Sequence, residues 1–206
     1  MGKNLRRLTA LAVVTIAVVG GSAWPAGAQS IVVSGSFTGT GGFTFDCAFA
    51  HEVDSGGGNW SGLGAATFDI DFCVATAPGS DPWPVTSGTF TVTAPGGTLT
   101  GTMGGSIQAT NEVGPNQFPF TFVLTITGGT GDLAGATGQL TLDGLAGYVA
   151  PFGRTLEGTV SGSISVVRTP ASADACKQDA WRTVTDGSGT AFRNQGDCVS
   201  WAVHNT

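Results

Sequence analysis

Apolar and polar side chains alternate with a period of two through most of the chain beyond residue 30, and no stretch there keeps a sustained helical period. In "FPFTFVLTIT", Phe118, Phe120, Phe122, Leu124 and Ile126 fall on one face, with Thr121, Thr125 and Thr127 on the other. In "ATFDIDFCV", Ala66, Phe68, Ile70, Phe72 and Val74 oppose Thr67, Asp69 and Asp71. Two further runs alternate large residues with glycine on the apolar face. One holds Leu99, Gly101, Met103, Gly105 and Ile107; the other holds Leu156, Gly158, Val160, Gly162, Ile164 and Val166. Successive side chains of a strand point to opposite faces of its sheet, so each run predicts a strand with one buried face.

The glycine alternation narrows the architecture. A small closed barrel tapers inside and has room for large side chains at only some inward positions. Eight strands are predicted, near 31–40, 43–53, 65–75, 85–94, 97–108, 117–127, 138–149 and 154–167. Turn signals separate them: "DSGGGNWSG", "APGSDPWP", "APGG", "NEVGPN", "GGTGDLAG" and "APFG". The fold class is therefore all-β: an eight-stranded antiparallel barrel with short connections, a two-sheet sandwich being the alternative.

The N-terminal residues depart from this pattern. Lys3, Arg6 and Arg7 precede an apolar run from Leu8 to Val19, and Ala26-Gly27-Ala28 supplies small residues for a signal peptidase. Residues 1–28 read as a secretory signal peptide cleaved after Ala28. The apolar run is too short to span a bilayer, which takes about 20 residues. Cleavage removes three of the eight basic residues and none of the 14 acidic ones, taking the formal charge from −6 to −9. Such a chain lacks the basic footprint of a nucleic-acid binder. No membrane span is expected after cleavage, and the expected location is extracellular or at the cell envelope.

Four cysteines, Cys47, Cys73, Cys176 and Cys198, suit two disulfides in an exported chain. Proximity favours Cys47–Cys73 and Cys176–Cys198. A zinc site would need paired CxxC or nearby histidines, so no metal or other cofactor is expected. One conflict stands: Cys47 shares the apolar parity of its predicted strand, whereas Cys73 shares that of Asp69 and Asp71, so the first bridge requires a bulge or a two-residue change of register. The barrel domain is expected over 29–168, a Pro/Ala/Ser linker over 169–175, and a small disulfide-stapled C-terminal module over 176–206. Asn194 or Asp197 is expected to cap a short helix over "CVSWAVHN".

"GGTGDLAG" superficially suggests a phosphate loop. Such a loop needs a helix after it, whose free N–H groups hold the anion. Here "ATGQLTLDG" alternates like a strand and no Lys-Ser/Thr pair follows, so the segment is a strand-to-strand connection with Leu133 tucked into the barrel. The same segment, "GGTGDLAGATGQLTL", resembles dirigent proteins and the allene-oxide-cyclase-like barrels. Gly128, Gly129, Thr130 and Gly131 match their turn, Leu133 the hydrophobic position, and Ala136 and Gly138 the "A-x-G". The resemblance implies an eight-stranded barrel, open to dimers or trimers. Thr137 stands where dirigent proteins commonly carry arginine, so arginine-dependent chemistry is not carried over. The tail resembles a short module of exported, especially actinobacterial, proteins through Cys176, Lys177, Trp181, Phe192, Arg193, Asn194, Gln195, Gly196, Cys198, Val199, Ser200 and Trp201.

Candidate chemistry is sparse. No serine stands in a nucleophile setting and "GxSxG" is absent, so no catalytic residue is assigned. His51 shares the parity of Phe43 and Phe45 and is expected at a barrel mouth; His204 lies near the terminus. Asp69 and Asp71, with Asp46 and Glu157 as expected neighbours, lie opposite the apolar face and read as solvated carboxylates outside the barrel. The interior is expected to be almost wholly apolar. Trp60 and Trp83 fall in Gly/Pro-rich loops, where they stack on a ligand or plug the barrel ends. His51, Trp60 and Trp83 are the candidate ligand contacts. The expected function is a non-enzymatic exported barrel that binds a small apolar ligand or acts at the envelope, for instance on a cell-wall component. The alternatives are an isomerase or cyclase resembling allene oxide cyclase, and an extracellular carbohydrate-binding or adhesion module.

Overall fold

The computed structural model describes residues 28–205 apart from 48, 76–80, 109–111, 168, 171, 178, 183 and 189. The signal-peptide reading thus falls outside the described residues save Ala28, the first residue of the first strand. Eight strands run in order: β1 Ala28–Thr44, β2 Ala50–Trp60, β3 Gly64–Val74, β4 Trp83–Ala94, β5 Gly97–Ile107, β6 Gln117–Gly129, β7 Thr137–Val149 and β8 Gly153–Val167. Each pairs antiparallel with the next, and β8 returns to β1 over fifteen residue pairs from Ala28↔Val167 to Gly42↔Gly153, closing the barrel. Closure leaves no strand edge for another chain to extend.

The interior follows the period-two pattern. Phe68, Ile70 and Phe72 of β3, Phe120, Phe122 and Leu124 of β6, and Leu156, Val160 and Ile164 of β8 are all buried. Each such side chain contributes roughly 1.5–3 kcal/mol on burial. The inward glycines are not openings. A Cβ at Gly39 would stand 3.2 Å from the tip of the Phe68 ring and one at Gly56 2.7 Å from it, so the glycines are the space this ring fills. Among the described residues, no helix is long and apolar enough to cross a membrane.

Two sequence expectations need correction. The break predicted between 40 and 43 does not exist: β1 continues through Gly41 and Gly42 to Thr44, and the chain reverses at residues 45–49. The "DSGGGNW" segment is strand, not turn. It forms the second half of β2, pairing with β1 from Gly35↔Trp60 to Gly41↔Asp54. Glycine there provides close approach between neighbouring strands rather than a reversal.

Trp60 is consequently no loop-tip side chain. It is 1 % exposed, stacks on Phe68 at 6.3 Å and donates its indole N–H to the Ser36 carbonyl at 3.2 Å. It plugs the barrel end opposite the 45–49 turn, and its surface-binding role is withdrawn.

"GGTGDLAG" connects β6 to β7 as a strand-to-strand link with one 3₁₀ turn, Gly131–Leu133, and Leu133 is buried in the barrel core. Beyond β8, short 3₁₀ turns at Ala173–Cys176 and Ala180–Arg182 precede helix α1, Gln195–Asn205. Asn194 caps it by accepting the Asp197 N–H at 2.9 Å. Cys176–Cys198 ties the first of these turns to α1, and Ala202, Trp181, Phe192 and Trp201 pack around it.

Candidate functional site

The barrel end formed by the C-termini of β1, β3, β5 and β7 gathers what unusual chemistry the described residues hold. Residues Ala50, Glu52 and Asp54 of β2 have inward parity, as do Tyr148 of β7 and Arg154 of β8. Glu52, Asp54 and Arg154 are each at most 2 % exposed. This overturns the expectation of an almost wholly apolar interior. Arg154 pairs directly with Glu52, and its Nη1 lies 3.4 Å from Asp54 Oδ2. The pairing crosses over β1, which lies between β2 and β8. It can do so because β1 presents Gly41 at the register position shared by Asp54 and Arg154. A Cβ at Gly41 would collide with the Asp54 carboxylate and the Val53 carbonyl.

Aromatic rings wall this set. The Arg154 guanidinium carbon lies 5.4 Å from the Phe72 ring centre, 5.9 Å from Phe122 and 5.8 Å from Tyr148, all cation–π distances. Burial pushes the Asp54 carboxyl up to about 7 and the Arg154 guanidinium down to about 9, which leaves the guanidinium charged at neutral pH. Burial, with the Asp54 charge nearby, raises Tyr148 to about 12, so its hydroxyl keeps its proton. The arrangement thus holds a fixed cation, a carboxylate paired to it, and a second carboxyl able to take or give a proton near neutrality.

Outward from this floor the rings form a connected rim. Phe43 meets Phe45 at 5.6 Å, Tyr148 at 5.8 Å and Phe152 at 5.7 Å; Phe45 meets Phe49 at 6.3 Å, and Phe49 meets Trp83 at 5.2 Å. Phe45 is 63 % and Phe152 54 % exposed, high values for phenylalanine. Trp83 therefore belongs to this mouth as a half-buried ring.

His51 is next to the rim but on the outer face of β2. Its Nδ1 is 3.1 Å from Asp46 Oδ1 and its Nε2 2.7 Å from Asp71 Oδ1. The hydrogen bond to Asp71, then that to Asp46, raises the imidazole above its ordinary value. Asp46 is lowered, first by the Thr44 hydroxyl that it accepts. The histidine thus ties the 45–49 turn to β3, beside the Cys47–Cys73 bridge. That bridge is formed without strand parity being violated. Cys47 lies in the turn, where parity does not apply, and β3 shifts register against β4 at Cys73/Val74. Asp46, Cys47 and His51 cluster closely enough for a metal, but Cys47 is spent in the disulfide. Asp69 and Asp71 are exposed, as expected for the outer face. Glu157 is not their neighbour; it lies on β8, with β1 and β2 between it and β3.

Sequence reasoning missed Glu52, Asp54 and Arg154. Their signal was parity: Arg154 is in phase with Leu156 and Val160, and Glu52 and Asp54 with Trp60. No family model, curated protein or solved structure matches the chain.

Proposed function

We propose that this chain is an exported, non-enzymatic barrel that holds a small, mostly apolar molecule at the aromatic mouth over the Glu52–Arg154–Asp54 floor. The observation that carries the reading is the rim: Phe45 and Phe152 keep large exposed ring surface while joined by contacts to Phe43 and Phe49, and through Phe49 to Trp83. An apolar wall with a few convergent buried polar groups is the usual composition of a small-molecule site. The ligand belongs at the mouth and not in the middle of the barrel, where rings fill the glycine gaps. The resemblance to the dirigent and allene-oxide-cyclase-like barrels supports an eight-stranded barrel and adds nothing on its activity or ligand.

Titration with the neutral fluorescent probe N-phenyl-1-naphthylamine tests this. Wild-type protein should enhance its emission, and the Phe45→Ser/Phe152→Ser double variant should weaken binding by about tenfold, the loss of a few tens of Å² of ring contact per side chain. Equal binding by both proteins, or none by the wild type, sinks the reading. A second reading, an isomerase or cyclase that steers a confined apolar substrate, is favoured by one observation: a proton-exchanging carboxyl, Asp54, points into the lumen.

A further inference from the structure

The Cys47–Cys73 bridge stands among metal-ligand side chains that neither the barrel core nor the mouth uses. Ligand atoms of Asp46, Cys47 and His51 lie within 4.8 Å of one another. Cys73 joins them through its bond to Cys47, and it is the residue directly opposite His51 in the β2–β3 register, on the same outer face. Two thiolates, one imidazole nitrogen and one carboxylate oxygen are the donors of a four-coordinate, zinc-type site. While the two sulfurs are bonded to each other they cannot serve; with that bond open they can. A Zn–S bond is about 2.3 Å, which sets two thiolates on one tetrahedral ion about 3.8 Å apart. The two Cα atoms are 5.8 Å apart, so rotation of the side chains reaches that separation.

The surroundings are those of a metal-bound histidine. His51 Nδ1 lies toward the cluster, 3.1 Å from Asp46 Oδ1, while Nε2 is held by Asp71 Oδ1 at 2.7 Å. A ligating imidazole ordinarily gives its other N–H to a carboxylate, which fixes the tautomer and turns the free nitrogen to the ion. Asp46 is oriented in its turn by the Thr44 hydroxyl, which donates to it. A reductant also has access here: Cys47 and Cys73 are half-buried, whereas Cys176 and Cys198 are 0 % exposed. We propose that Asp46, Cys47, His51 and Cys73 form a zinc-type metal site when the Cys47–Cys73 bond is reduced, with Asp71 and Thr44 orienting His51 and Asp46. A dithiol supplies the reduction: it gives up two hydrogens and leaves as a cyclic disulfide, and the S–S bond becomes two thiols. The ion then displaces both thiol protons to solvent. Metal and disulfide are alternatives, and either one ties the 45–49 turn, with Phe45 and Phe49, to β3.

Cobalt(II) titration of the folded chain tests this, after reduction with dithiothreitol and its removal by anaerobic gel filtration. Alkylation with peptide mapping beforehand shows which sulfurs are free. The reduced protein should take one cobalt per chain, with the visible bands of a tetrahedral ion and a thiolate charge-transfer band, and zinc should displace it. The disulfide form should give neither band. Cys176→Ser/Cys198→Ser should keep the spectrum and Cys47→Ser/Cys73→Ser should lose it; should the first of these fail to fold, the mapped wild type carries the same assignment. Asp71→Asn removes no ligand, so it should weaken cobalt about tenfold or more with the thiolate band kept, a loss that chelation by two loose cysteines would not show. Protein with Cys47 and Cys73 free and no tetrahedral spectrum overturns the inference. So does full-strength binding by His51→Gln or by Asp71→Asn, or a Cys47–Cys73 bond that dithiothreitol cannot open in the folded chain.

Discussion

Replacing Asp54 with asparagine should alter the pH dependence of stability, and not its level alone. Asp54 is 1 % exposed and burial pushes its carboxyl from 3.8 up to about 7. In the unfolded chain the group ionises at its ordinary value. Between those two values the native protein keeps a proton that the unfolded chain has released. Stability therefore falls as pH rises from about 4 to about 7, and is level above. Roughly 1.4 kcal/mol attaches to each tenfold change in proton activity, so the loss across the window is on the order of 4 kcal/mol. This runs against the usual acid denaturation, in which paired carboxylates lose stability on protonation. The Asp54→Asn side chain keeps the shape and cannot ionise. The assay is urea unfolding at half-unit steps from pH 4 to pH 8, followed by tryptophan fluorescence. Subtracting the two profiles cancels the groups that both proteins share. The variant should gain on the wild type steadily up to about pH 7, then hold a constant lead. A difference that stays flat with pH would refute the reasoning, because it would mean that Asp54 ionises in the native state as it does in the unfolded one.

Arg154→Met should be the most damaging single change at the mouth, costing about 3–5 kcal/mol by leaving Glu52 and Asp54 without a counter-charge. At roughly 2–4 °C per kcal/mol for a chain of this size, calorimetry should read a fall in Tm of about 6–20 °C. Trp60→Ala should cost about 3–5 kcal/mol in urea unfolding through the cavity it leaves against Phe68, with N-phenyl-1-naphthylamine binding unchanged because the opposite barrel end is affected. The His51 imidazole should titrate above its ordinary value in an NMR pH series and move down in Asp71→Asn. Its contribution to stability is complete below pH 6.5 and is lost as pH rises through the native value.

The barrel itself was legible because closure depends on features that repeat: apolar period two, glycine between large inward residues, and short links such as "GGTGDLAG". The first two strands were less so. Gly41 and Gly42 imitate a turn, and "DSGGGNW" imitates another, although both lie inside the neighbouring strands β1 and β2, whose backbones approach closely. That misreading hid the site. Taken as a turn residue, Asp54 has no parity, and Glu52, on a strand read in phase with Phe43 and Phe45, falls on its polar face; in β2 both share the inward face of Trp60. Arg154 was in phase with Leu156 on a correctly predicted strand, so its inward position followed from the pattern alone. Its partners did not. The meeting of β2 carboxylates with a β8 guanidinium over a β1 glycine depends on register across three strands, which alternation along one strand does not encode. The two disulfides followed from proximity in sequence, although the parity conflict at Cys47 resolves only once the residue is seen in a turn.

Native mass spectrometry of the protein purified without denaturant from the cells that make it tests the central claim most directly. The account predicts a mass carrying both disulfides together with a small bound molecule, released on unfolding and absent from the Phe45→Ser/Phe152→Ser variant. A bare chain from that source, or an adduct that the double variant retains unchanged, would contradict a ligand held at the aromatic mouth.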